Sequence, residues 1–90
     1  MKPTRWTDHA LRNLADREVE RSEAEKALAA PEFVVPEDPP RQALMRRYFD
    51  APLQQEMLLR IVIEDTISER VVVTVYKTSR IDKYLRGLVP

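Results

Sequence analysis

Apolar positions in the first third of the chain recur three and four residues apart. Thr7 and Asp8 supply a helix start, and Ala10, Leu11, Leu14 and Ala15 follow as one stripe, which predicts a helix from about Thr7 to Arg17. Ser22 with Glu25 three positions later reads as a capping box. Ala24, Ala27, Leu28 and Ala30 behind it predict a second, short helix that Pro31 ends. The connector Glu18-Val19-Glu20-Arg21 places Val19 three residues before that cap, where it packs back onto the second helix. Residues 36–40, Pro-Glu-Asp-Pro-Pro, then form a rigid extended loop, because each proline fixes its own φ and pushes its predecessor out of the helical region.

Beyond Arg41 the pattern is that of strands. Ala43 to Phe49, Met57 to Glu64 and Arg70 to Tyr76 are rich in β-branched and aromatic residues, and the segments between them are short enough for hairpins. A three-stranded antiparallel meander results, to which Phe33 to Val35 adds a fourth, minor strand at one edge. Ser79 to Leu85 ends the pattern in a helical turn with Ile81, Tyr84 and Leu85 on one side. The predicted class is α+β: two N-terminal helices packed on a three- to four-stranded antiparallel sheet with a short C-terminal helical turn, in one domain spanning residues 1–90.

Because side chains alternate across a strand, each strand divides into two sets. Met57, Leu59, Ile61 and Ile63 are uniformly apolar and are expected to face the helices, leaving Leu58, Arg60, Val62 and Glu64 outside. Val71, Val73 and Val75 form the corresponding core set of the last strand, with Val72, Thr74 and Tyr76 opposite. The first strand offers Leu44, Arg46 and Tyr48 as one set and Met45, Arg47 and Phe49 as the other. If the former lies outside, the outer face combines Arg46, Tyr48, Arg60, Thr74 and Tyr76 with Leu58, Val62 and Val72. Three readings suit such an amphipathic face: a wet sheet surface with arginines lying over apolar neighbours, a surface for self-association or partner docking, or an anion or RNA site built from arginine forks and tyrosine rings.

Composition narrows the choice. Ninety residues permit one modest core, burying roughly 60–68% of the surface that the unfolded chain exposes. The chain has no cysteine, which excludes disulfides, a thiolate nucleophile and cysteine-ligated zinc, and suits a reducing compartment. The polar start and short apolar runs point to a cytoplasmic protein with no membrane segment. Fifteen basic residues balance fifteen acidic ones, which argues against a general nucleic-acid binder. The halves differ, however. Residues 1–38 carry nine acids and six bases, whereas residues 39–90 carry six acids and nine bases, so the sheet half is the better place for an anionic partner.

Few residues carry chemistry by their pattern. His9, early in the first helix, is the one imidazole available as a general base, but no orienting carboxylate is evident, and a plain helix-surface histidine is the simpler reading. One histidine and scattered carboxylates give no metal-ligand spacing, and the single glycine, Gly87, excludes a glycine-rich phosphate loop; nothing calls for a cofactor. Trp6 is read as a staple of the first helix to the core.

The succession His9-Ala10-Leu11, Arg17-Glu18-Val19, Ser22-Glu23-Ala24-Glu25, Ala30-Pro31-Glu32 and Thr74-Val75-Tyr76 resembles the bacterial family known as domain of unknown function 4258, over nearly the whole chain. It departs from that family's pattern at Asn13, where an arginine is frequent, and at Glu18, where a glycine is frequent; the first departure weakens any phosphate site on the helix. The helix-helix-sheet order is also similar to RelE/ParE and BrnT toxins. That likeness implies messenger-RNA cleavage, with Arg46, Arg60, Lys77 or Arg80 as transition-state cations and Tyr48 or Tyr76 stacking on a base. Two functional expectations follow: a binding module acting through the outer sheet face on a protein partner or a second copy of itself, or alternatively an endoribonuclease of a toxin-antitoxin pair. The sequence leaves open whether the chain is an enzyme.

Overall fold

The computed structural model describes residues 2–88. Thr4–Trp6 form a short first strand, β1, and Thr7 then caps helix α1 (Asp8–Asp16), its Oγ1 accepting from the Ala10 N–H at 3.1 Å. Helix α2 (Arg21–Ala29) begins ahead of the expected capping box. The Glu20 carbonyl accepts from Glu23 and Ala24, so helical bonding is under way before Ser22, and the cap residue Glu20 makes no side-chain cap bond. The turn between the helices is set by Glu18, whose φ of 53° lies in the left-handed region that costs a side chain-bearing residue energy. Val19, next to it, is buried against the helix-side core as its position suggested.

Four more strands follow: β2 (Phe33–Pro36), β3 (Arg41–Asp50), β4 (Gln55–Asp65) and β5 (Arg70–Thr78), and helix α3 (Ile81–Leu85) ends the described structure. The sheet order is β1-β5-β4-β3-β2. The class is α+β as expected, but the sheet has five strands and is mixed, because β1 pairs in parallel with β5 through Thr4↔Arg70, Arg5↔Val71 and Trp6↔Val72. Three residues carry no readable period, which is why β1 escapes the sequence pattern. Trp6 therefore sits on a strand rather than as a helix staple, packed against the helix-side core with the Arg21 guanidinium 4.9 Å over its ring.

β4 lies at the centre and is buried on both faces. On one side, Leu59, Ile61 and Ile63 join Leu44, Val72 and Val75 beneath Ala10, Ala24, Ala27 and Leu28 of the two helices. On the other, Met45 and Leu58 pack with Leu85 of α3, flanked by Phe33, Val35, Ile81 and Tyr84. Two expected faces are reversed. Leu44 pairs with Ile61, Arg46 with Leu59 and Tyr48 with Met57, so the set containing Arg46 and Tyr48 faces the helices, and Met45, Arg47 and Phe49 are outside. In β5, Val62 pairs with Thr74 but Ile63 with Val72, which leaves Val73 as the extra residue of a bulge. A bulge reverses the alternation, and Val72 rather than Val73 joins Val75 in the core.

β1 stops at Trp6, leaving the far half of β5 as an exposed edge, and α1 takes over there. Asn13, 4% exposed, accepts the Val75 N–H at 3.0 Å and the Thr74 hydroxyl at 2.7 Å on its Oδ1. Arg17, one turn on, donates from Nη1 to the Val75 carbonyl at 2.9 Å. Two side chains of a helix thus satisfy both backbone groups that a neighbouring strand would otherwise have paired, which blunts the edge.

Candidate functional site

Arg60 projects from the central strand into the middle of the outer face, opposite Met45 on β3 and Tyr76 on β5. It is only 9% exposed, because α3 lies across it. A guanidinium so buried needs partners. Its Nη1 donates to the Tyr76 hydroxyl, its Nη2 to Glu37 Oε1 at 2.7 Å and its Nε to Met45 Sδ at 3.3 Å. Its plane is flanked by the rings of Tyr84 at 4.5 Å and Tyr76 at 5.4 Å. Burial pushes the Tyr76 phenol above its ordinary value, against the opposing pull of the Arg60 charge. The cluster joins β4, β5, α3 and the loop after β2, with its charge compensated inside the fold.

The other expected site residues disperse. Arg46, on the helix side, donates from Nη1 to the Ala30 carbonyl at 2.8 Å and closes the end of α2. Tyr48 and Lys77, also on the helix side, meet at Asp50: the phenol donates to Oδ2 at 3.1 Å and the ammonium to the same oxygen at 2.7 Å, while Lys77 also donates to the Glu18 carbonyl at 2.8 Å. Asp50 Oδ1 accepts the Leu53 N–H at 3.1 Å and shapes the β3–β4 turn. Lys77 holds the Asp50 carboxyl below its ordinary range, and burial, reinforced by Asp50, raises the Tyr48 phenol. Thr74 is engaged by Asn13, His9 is exposed on α1, and Arg80 is exposed at the start of α3. Arg60 and Tyr76 are brought together, therefore, while Arg46, Tyr48 and Lys77 lie on the opposite side of the sheet.

A feature absent from the sequence reading lies beside the Arg60 cluster. The outer face near the β3–β4 turn is not covered by α3, and a groove of about 450 Å³ runs there, lined by Arg47, Ile81, Asp82, Leu85, Arg86 and Gly87. Arg47 is oriented by a two-pronged bond to Glu32, Nε to Oε1 at 3.2 Å and Nη2 to Oε2 at 2.9 Å, which holds the Glu32 carboxyl below its ordinary range. Two residues further along the same face, Phe49 is 63% exposed. Arg80, Lys83 and Arg86 recur every three residues, and among the described residues none of them has an acidic partner within 4 Å. That spacing sets a basic stripe against the apolar stripe of Ile81, Tyr84 and Leu85 and is legible in the sequence. Among the described residues, no three histidine or acidic side chains gather in a way that could hold a metal ion, and no helix is long and apolar enough to cross a membrane.

The model of the family described as Domain of unknown function (DUF4258) matches residues 6–77. No match was found among curated proteins or among solved structures.

Proposed function

The chain belongs to the DUF4258 family, and we propose that it is an interaction module whose contact surface is the outer side of the sheet where α3 leaves it open. One observation carries this reading. Among the described residues, eight ion pairs neutralise cations across the sheet and the first two helices, from Lys2–Asp65 to Lys77–Asp50, while cations left with neither a carboxylate nor a backbone carbonyl gather in the α3 segment at Arg80, Lys83 and Arg86. Arg12 on α1 is the further example among the described residues. Uncompensated like charges side by side cost stability, and a partner's charge relieves that cost.

The endoribonuclease alternative has less behind it. It needs several cations to converge on one phosphate and open rings on which bases can stack. Arg46 and Lys77 lie on the helix side and Arg60 on the outer side, Tyr48 is bound to Asp50, and Tyr76 is taken up by Arg60.

Site-specific photo-crosslinking tests the interaction reading. A photoreactive amino acid at Lys83 should yield a discrete adduct in cells that express the full chain natively, while the same group at the fully exposed Ile67, at the opposite end of β5, should not. Adducts at neither position, or at both alike, would count against an interaction surface at α3. An adduct with a second copy of the chain would identify the partner as itself.

A further inference from the structure

We infer that the groove between β3 and α3 takes an acidic, aliphatic peptide segment of a partner protein; this rests on the interaction reading above and specifies the partner's chemistry. The groove has an apolar floor of Ile81 and Leu85 and guanidinium groups on its walls, Arg47 and Arg86, with Asp82 the one acid in its lining. The two-pronged bond to Glu32 occupies one edge of the Arg47 fork and fixes its orientation, and leaves the Nη1 N–H groups without a bond inside the described structure. Such a fork is prepared for a carboxylate without a further loss of side-chain freedom. Among the described residues Arg86 has no acidic partner, and Arg80 and Lys83 add positive charge on the exposed side of α3.

The groove also favours a peptide by its shape. Its volume of about 450 Å³ suits a few side chains, at the low end of the range for ligand pockets. Gly87 stands in its lining with φ 85°, and a Cβ built on it would meet nothing within 4 Å, so a partner's backbone has open access at that point. Apolar floor and cationic walls together call for Leu, Ile or Val next to Asp or Glu. Single-stranded RNA fits less well. The rings of Tyr76 and Tyr84 on this side are engaged with Arg60, which leaves Phe49 as the exposed platform, and the chain has no net charge to draw in a polyanion.

The test selects from a library of short random peptides displayed on phage, with the immobilised full chain as bait. Recovered peptides are then measured against the wild type, Arg86→Glu and Arg86→Gln; both variants change an exposed side chain, and their folding is checked by Trp6 fluorescence. The expected consensus carries Asp or Glu beside aliphatic residues. Binding should weaken by about tenfold in Arg86→Glu, less in Arg86→Gln, and fall as salt rises. Amide shifts on peptide addition should centre on Arg47, Ile81 and Arg86. Peptides that map to the groove but are basic or purely aromatic would overturn the acidic-partner inference and leave the interaction surface standing. Peptides unaffected by Arg86→Glu would overturn the groove, and so would tight binding of a short oligouridylate that the same variant abolishes. Recovery of no peptide and no oligonucleotide binding would remove the interaction reading too.

Discussion

Replacing Asn13 with leucine tests the claim that α1 stands in for a missing strand at the edge of β5. Leucine matches the side chain's size but accepts nothing, so the Val75 N–H, on a residue with 0% exposure, loses its acceptor. An unsatisfied buried donor costs about 1–3 kcal/mol. The Thr74 hydroxyl, part-buried, also loses its bond at 2.7 Å but can turn to water, which adds at most about 1 kcal/mol. The two ranges together span about 1–4 kcal/mol, with about 2–3 kcal/mol at the centre, a large fraction of the roughly 5–13 kcal/mol that holds a chain of this length. For a domain this small that corresponds to a fall in Tm of about 10–20 °C. Urea unfolding followed through Trp6 gives the number, and amide exchange gives its place: protection at Val75 should drop by more than the global loss explains. Asn13→Asp, which keeps the acceptor, should lose less. If Asn13→Leu unfolds within about 0.5 kcal/mol of wild type, the ordinary scatter of surface substitutions, the edge is held by something else.

Two further outcomes follow from strained and titrating groups. Glu18→Gly should stabilise the protein by about 0.5–1 kcal/mol, because glycine adopts the φ of 53° freely and the Glu18 group that Lys77 uses is the backbone carbonyl; a loss of stability in the same urea assay would contradict this. The Asp50 cluster should shape both limbs of the stability-pH profile. Asp50 has a depressed folded pKa, so its contribution is complete above the ordinary carboxylate value of about 4 and is lost as pH falls through the folded value; Tyr48 has a raised one, so its contribution is complete below about 10 and is lost as pH rises through the folded value. Lys77→Gln should flatten the acid limb and Tyr48→Phe the alkaline limb in unfolding free energies measured across pH, and unchanged slopes in both variants would refute the assignment.

What was legible in the sequence follows from how each element is encoded. α1 announces itself through Thr7 and the spacing of Ala10 and Leu14, although Leu11 and Ala15 of the expected stripe are exposed and the buried face includes Asn13; β4 announces itself through an apolar run that Arg60 alone interrupts. β3 does not, because Leu44 and Met45 are adjacent and apolar, and so are Tyr48 and Phe49. With Leu44 and Met45 both covered, neither phase of that strand is wholly polar, and alternation cannot say which set meets the helices. The β5 bulge falls within Val71-Val72-Val73, three like residues in which one extra position leaves no trace. The errors in placing Arg46, Tyr48 and Val72 thus share one physical cause.

The same reasoning explains why Arg60 pointed to the right place for an incomplete reason. An arginine flanked on its own face by Leu58 and Val62 could have signalled a wet surface or a covered one. The tail decides between them: Ile81, Tyr84 and Leu85 form a stripe that needs an apolar surface, and Met45 and Leu58 are that surface. Once α3 is seated there, Arg60 is enclosed and must be paired within the fold, which is what Tyr76, Glu37 and Met45 accomplish. The basic residues of the α3 segment, Arg80, Lys83 and Arg86, then face solvent on the opposite stripe. Burying the apolar stripe of α3 is therefore what turns its basic stripe outward, so the most prominent uncompensated charge on this face follows from the packing of its second core.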